Sequence, residues 1–265
     1  MARLPSPATP YRLLRNQLGS IREVYLAGDS VRRRDDMALP DSTVLLLHGF
    51  FQTRNIWEVM EDRLRFDGYA VMSFNMGGLL SRFNTHRVDY LAGLVAEKLE
   101  GLAARRGLER FHVVGHSKGG LVARRYVQHY GGDKRVLSLT TLGTPHHGTP
   151  MAALGVALMG FGAISRSPGD LMPGSPLINR LARDSFPGQI PLTSIYSRHD
   201  VICPHWCASL RPRPGEEGHL TNIEVQRLGH SELTWDAGVY KRVRGCIEHA
   251  EAIWAERAAG CEQAS

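Results

Sequence analysis

Gly115-His116-Ser117-Lys118-Gly119 places a serine between two glycines in the pattern G-x-S-x-G. Its context decides whether the match means anything. The apolar run Phe111-His112-Val113-Val114 precedes it and reads as a buried strand. The stretch from Gly120 to Val127 follows with helical character and ends at Gly131-Gly132. A serine on a sharp strand-to-helix turn is a nucleophile elbow. Such a turn forces its central residue into a strained backbone conformation, so close neighbours must be small, and Gly115 and Gly119 meet that demand. The elbow would lift the Ser117 hydroxyl above the sheet and aim the N-terminus of the next helix at any negative charge developing there.

A serine hydroxyl is a poor nucleophile at neutral pH. It needs a histidine base, and that base needs a carboxylate to fix its tautomer. On an elbow scaffold these partners follow the serine in the order acid, then histidine. Leu192–Ser197 reads as a strand running into Arg198-His199-Asp200, so Asp200 lies just past a strand's carboxyl end, where open α/β sheets build their sites. Thr221–Val225 alternates as a last strand, and the loop Leu228-Gly229-His230-Ser231-Glu232 follows it. His230 is the candidate base and Asp200 its partner, with Glu232 as a fallback acid too near His230 in sequence to orient the ring easily. With 12 histidines in the chain, position rather than residue type selects His230. His199 and His205 read as surface residues, and His219 falls before the last strand, on the wrong side.

An acyl-transfer intermediate also needs two N–H donors for its oxyanion. One is the residue after the nucleophile, Lys118. The other belongs to the loop after Val44–Leu47, in His48-Gly49-Phe50-Phe51, with Phe50 the simplest choice and Phe51 the alternative. His48 is expected to hydrogen-bond within this loop rather than move protons.

Across about residues 43–258 the chain resembles the bacterial lipases and esterases of the α/β-hydrolase superfamily. The resemblance rests on Leu47-His48-Gly49-Phe50, on the elbow and its helix through Arg124, and on Leu142-Gly143-Thr144-Pro145-His146-His147-Gly148-Thr149. The last segment is the most discriminating, and is typical of triacylglycerol-lipase-like members. Ser197–Asp200 and Gly229-His230-Ser231 match the acid and base signatures. The resemblance implies a triad of Ser117, Asp200 and His230, oxyanion donors at Phe50 and Lys118, and a lipophilic ester as substrate. No cofactor is implied. Members usually carry Met or Gln after the nucleophile. Here the Lys118 side chain is expected to face solvent or form a salt bridge, with recognition of an acidic substrate group as the alternative. Larger secreted members hold a structural calcium, but no acidic cluster here can be assigned to one, so no metal is expected.

The elements that must position these groups alternate strand and helix. Residues 43–48, 69–74, 111–114, 136–142, 192–197 and 221–225 read as strands. Helical spacing marks about 54–66, 86–105 and 236–258. The expectation is one α/β-hydrolase domain over 1–265, with a mostly parallel sheet flanked by helices. The segment 146–190 would be a helical cap inserted within it. Its first part, Met151–Ile164, has no polar side chain in 14 residues, too short for a bilayer span of about 20. Leu154, Leu158, Met159 and Phe161, together with Phe51, are expected to line a pocket for the acyl chain. Residues 1–42 are the least determined, with a short helix at 11–18 and an edge strand at 23–26 the readings offered.

Composition bounds the partners. Charged residues make up 22% and apolar ones 43%, as in a soluble globular protein. The net charge is +6, but the one tight basic run, Arg32-Arg33-Arg34, meets Asp35-Asp36 at once and has no interleaved aromatics. That excludes a nucleic-acid patch, while weak attraction to an anionic membrane or lipid interface is compatible with the charge. No apolar leader opens the chain, so a cytoplasmic location with reduced cysteines is expected. Cys203 and Cys207 around His205 lack the further ligands a zinc site needs. The oligomeric state is not legible. An acyltransferase, thioesterase, amidase or polyester depolymerase would share this machinery. A non-catalytic binding protein on the same fold would be expected to lack a triad member, and none is missing.

Overall fold

The computed structural model describes residues 43–79 and 83–263. The helix and edge strand read within 1–42 lie outside the described residues. Among those described, β1 (Thr43–Leu47), β2 (Ala70–Ser73), β5 (Phe111–His116), β6 (Val136–Leu142), β7 (Leu192–Ser197) and β8 (Leu220–Val225) form one six-stranded sheet in the order β2-β1-β5-β6-β7-β8. Every pairing in it is parallel. A short antiparallel hairpin, β3 (Gly78–Leu79) with β4 (Phe83–Asn84), stands apart.

The helices explain how the parallel strands connect. A 3-10 turn at Arg54–Trp57 leads into α1 (Glu58–Phe66), then come α2 (Val88–Arg106) and α3 (Lys118–His129). After β6 the insertion holds α4 (Ala152–Leu158), α5 (Ser167–Asp170) and α6 (Pro176–Arg183). A one-turn α7 (His205–Ala208) follows β7, and the long α8 (Ala237–Gln263) closes the described chain. Both faces of the inner sheet are apolar because its central strands are buried on both sides, whereas the edge strand β8 exposes Thr221, Asn222 and Glu224. In β1, Leu45 and Leu47 pack with Val95, Leu121 and Tyr126 on the face of α2 and α3. Val44 and Leu46 pack with Trp57, Met60 and Val243 on the face of α1 and α8. Two-sided burial replaces polar alternation with a nearly continuous apolar run.

Strand order fixes the place of chemistry. The chain steps from β1 outward to β2, then crosses back to lay β5 on the other side of β1. The carboxyl ends of β1 and β5 therefore flank the point where the winding reverses, the crevice in which open α/β sheets place ligands. Leu47 pairs in register with Gly115, so the His48–Gln52 loop and Ser117 emerge side by side.

Close packing of α3 on β1 leaves no room for a side chain at Gly119. A Cβ there would lie 2.1 Å from the Leu47 carbonyl oxygen and 2.7 Å from that of His48. Both obstacles are backbone and cannot rotate away. Gly119→Ala is expected to destabilise the fold by more than about 2 kcal/mol. Urea unfolding of variant and parent measures this directly, and an unchanged midpoint would show that α3 can back away from the sheet.

Candidate functional site

Ser117 has φ 54° and ψ −125°, a backbone region that side-chain-bearing residues rarely enter. The surrounding chain imposes it. The Ser117 N–H donates to the Leu142 carbonyl at 2.9 Å, and the Ser117 carbonyl accepts from Thr144 Oγ1 at 2.9 Å and from the Gly120 N–H at 3.1 Å. Glycine is required on each side. A Cβ on Gly115 would sit 2.6 Å from the Gly120 Cα, and one on Gly120 would overlap Thr144 Oγ1 at 2.0 Å. Thr144 belongs to the Gly-Thr-Pro-His-His-Gly-Thr segment, so that motif is a brace for the elbow. Its neighbour His146 is buried, 3.0 Å from Thr141 Oγ1 and 3.5 Å from Arg124.

Asp200 and His230 come together from the ends of β7 and β8. His230 Nδ1 lies 2.6 Å from Asp200 Oδ2, and both residues are buried. The other carboxylate oxygen accepts from the Ile202 N–H at 2.9 Å and the Cys203 N–H at 2.8 Å, which fixes the carboxylate plane. Ser197 Oγ donates to the Leu228 carbonyl at 2.6 Å and ties the end of β7 to the His230 loop. Gly143, at φ 53°, leaves space for the pair: a Cβ there would be 3.1 Å from Asp200 Oδ2 and 3.2 Å from His230 Nδ1. Glu232 instead accepts from the Gly229 N–H at 2.6 Å. No hydrogen bond joins Ser117 Oγ to His230 among the described residues, and such contacts are often long before a substrate enters.

The loop after β1 lies against the serine. A Cβ on Gly49 would be 2.9 Å from the Ser117 Cβ. The Phe51 N–H is already used, donating to the Asn84 carbonyl at 3.4 Å. Phe50 N–H has no acceptor among the described residues, which favours Phe50 over Phe51 as the second donor. Gln52 Oε1 accepts from the Gly49 N–H at 2.8 Å and lies 3.0 Å from His116 Nδ1. His116 Nε2–H donates to the His230 carbonyl at 3.1 Å, and the two imidazoles stand 4.6 Å apart, centre to centre. His48 is buried and stays in its loop: Nδ1 lies 3.2 Å from the Gly49 carbonyl, and Nε2 accepts from the Met76 N–H. Burial lowers its pKa to about 4.

One expectation needs correction. The Lys118 side chain neither faces solvent nor forms a salt bridge. It is fully buried, with Nζ donating to the oxygens of Asn84 and to the His86 carbonyl. It therefore cannot reach an acidic group on a substrate. The apolar insertion residues stand at the surface: Leu154 is 54% exposed, Leu158 66% and Phe161 84%, while Met159 and Phe51 are half-buried. Among the described residues no layer lies outside α4 to cover them. A cleft of about 460 Å³ does open between Thr85–Arg87 and Gly162–Arg166, beside this segment, and neither Ser117 nor the five expected residues line it. Gln52, Asn84 and Asp170 were missed, and only Gln52, a polar residue directly after two phenylalanines, gave any signal. No group of three or more metal-ligating side chains occurs among the described residues.

Fold and site together define a class: a parallel α/β sheet with a strained serine at the turn out of a central strand and a histidine–carboxylate pair at the ends of later strands. Residues 42–161 match the family model described as the alpha/beta hydrolase fold. The match covers under half of the chain, and over that span the chain is similar to the α/β-hydrolases. Among curated proteins, a triacylglycerol lipase from Pseudarthrobacter phenanthrenivorans is 31% identical over 125 residues, 44% of this chain and 37% of the relative. A triacylglycerol lipase from Burkholderia plantarii gives the same identity over 44% of this chain and 33% of its own length. The matched region thus spans about a third of each curated relative. Among solved structures, the mature lipase BlEst2 of Bacillus licheniformis superposes with a TM-score of 0.63 at 16% identity, over 83% of this chain and 96% of that one. A monoacylglycerol lipase from Paleococcus ferrophilus gives 0.54 at 17% identity, over 80% and 94%.

Buried histidines make a pH prediction. Burial lowers the pKa of His48 to about 4, and those of His116 and His146 well below the usual value, with neighbouring cationic groups adding to the effect. Each folded-state pKa lies below its unfolded value, so below about pH 6.5 the unfolded chain takes up protons that the folded chain refuses. Stability is expected to fall between pH 7 and 5, by up to about 1.4 kcal/mol per pH unit for each histidine. Urea midpoints across that window test this, and a flat profile would mean these histidines charge in place.

Proposed function

We propose that this chain is a serine hydrolase of lipophilic carboxylic esters, a lipase or carboxylesterase working through an acyl-enzyme. The observation that carries the reading is the strained Ser117 on its elbow, combined with the 2.6 Å contact between buried Asp200 and His230. A backbone that stores strain at one serine, on a fold that also delivers a histidine–carboxylate pair, is what nucleophilic catalysis needs.

In the proposed cycle Ser117 Oγ attacks the ester carbonyl while His230 Nε2 takes its proton. Asp200 holds His230 in the tautomer with the proton on Nδ1 and stabilises the imidazolium that forms. The oxyanion is held by the N–H groups of Phe50 and Lys118, the latter at the start of α3, where the helix dipole adds to the field. Collapse expels the alcohol, which receives the proton from His230. Water then attacks the acyl-enzyme by the same route, and Ser117 is restored.

The lipophilic substrate class is supported by the apolar stretch 151–164 of the insertion, whose exposed Leu154, Leu158, Phe161 and Ile164 suit contact with acyl chains or a lipid interface. The lipase names of the relatives point the same way. We read this segment as a cap on the single hydrolase domain. No helix among the described residues is long and apolar enough to cross a membrane. A cytoplasmic location with reduced cysteines belongs to the same proposal.

Hydrolysis of p-nitrophenyl esters from acetyl to palmitoyl tests the reading. Activity is expected to drop at least about 1,000-fold in Ser117→Ala, together with loss of labelling by a fluorophosphonate probe. Wild-type protein that cleaves no ester and takes no probe would overturn it.

A further inference from the structure

Lysine is almost never fully buried unless its charge is met, yet Lys118 is completely enclosed directly after the serine. Its Nζ faces three oxygens: Asn84 Oδ1 at 2.7 Å, the Asn84 carbonyl at 3.3 Å and the His86 carbonyl. Three acceptors match the three protons of an ammonium, whereas a neutral amine has only two to give. The Phe50 ring adds its face, with its centre 5.6 Å from Nζ.

The residue so gripped is the one on which the loop after β1 hangs. Asn84 Nδ2 donates to the His48 carbonyl at 3.1 Å, the Asn84 N–H donates to the Gln52 carbonyl at 3.4 Å, and the Asn84 carbonyl accepts from the Phe51 N–H at 3.4 Å. Asn84 thus holds the loop at His48, Phe51 and Gln52, on both sides of Phe50. Its amide is fully committed, oxygen to Lys118 and nitrogen to His48. Beyond Asn84, the same segment is fastened to the insertion. Ser165 Oγ donates to the Thr85 carbonyl, and Asp170 takes two bonds from Arg87 and one from the Val88 N–H.

We propose that the Lys118 side chain is a positioning residue for the oxyanion hole: it locks Asn84, and through Asn84 the His48–Gln52 loop, so that the Phe50 N–H is held where negative charge develops. One residue then supplies a donor from its backbone and sets the opposing donor with its side chain. The inference rests on the ester-hydrolase reading. It assigns Lys118 no contact with substrate and no proton transfer.

The variant Lys118→Met keeps the length and apolar character of the stem and removes every donor. Its kcat on p-nitrophenyl butyrate is expected to fall about 10- to 100-fold, less than the loss of a whole oxyanion donor, with KM within about twofold, because the lost stabilisation appears only with transition-state charge. Inhibition by a phenylboronic acid, which forms a tetrahedral adduct on serine, should weaken by a similar factor. Asn84→Leu cuts the same link from its other end and should give the same pattern. Combining the two should add little further loss, as expected for groups acting as one unit. If Lys118→Met fails to fold, Asn84→Leu decides alone. Folded variants with wild-type kcat, or a loss confined to KM, would overturn the proposal while wild-type turnover and probe labelling kept the ester-hydrolase reading intact. A wild-type protein inactive on every ester and unlabelled by the probe would bring down both.

Discussion

One backbone conformation organises this molecule. Ser117 at φ 54° is of a kind that costs on the order of 1–3 kcal/mol and persists only where its surroundings over-determine it. Those surroundings are β5 and β6 on one side and α3 on the other, close enough that Gly115, Gly119 and Gly120 have no space for even a methyl group. The tight crossing of α3 over β1 and β5 is what the buried residues of both strands stabilise, and the serine is held at its apex. A sheet that loosened would let the turn relax, and the hydroxyl would lose its position.

Around that apex the polar groups are arranged as two links from the residues flanking the serine. His116 reaches Gln52 on one side and the His230 carbonyl on the other, joining the loops that carry the candidate donor and base. Lys118 reaches Asn84. Buried polar groups cost several kcal/mol when unpaired and little when satisfied. Such links therefore hold their loops in one arrangement, because any other leaves an orphaned charge or amide. Preorganised donors of this sort are the largest single contribution in many acyl-transfer sites.

The parts legible in the sequence are those fixed by local constraint. Val136–Leu142 and Leu192–Ser197 stand as strands with the expected bounds, because apolar runs bounded by turn residues have few other options. The elbow announced itself because only glycine survives beside it. Asp200 and His230 followed from strand ends, and their contact is present in the structure. The Lys118–Asn84 link had no sequence signal. It joins residues from separate elements, and asparagine in a short hairpin is ordinary on its own. The surroundings of the apolar run 151–164 were not legible for a related reason. Hydrophobic side chains look alike in sequence whether a second layer covers them or not, and Phe161 stands at 84% exposure.

The apolar start of the 146–190 insertion is fastened at both of its ends. Thr149 Oγ1 donates to the Ile202 carbonyl, and Ser165 Oγ to that of Thr85. Between them only Ala152 is buried. The stretch from Pro150 to Ile164 thus contributes little to the core, while its ends are anchored at fixed points on the scaffold. Evolution and the protein engineer face the same opportunity here. This stretch is an exchangeable cassette, where sequences of other lengths and chemistries can be spliced between the two anchors to retarget the chain without rebuilding the sheet beneath.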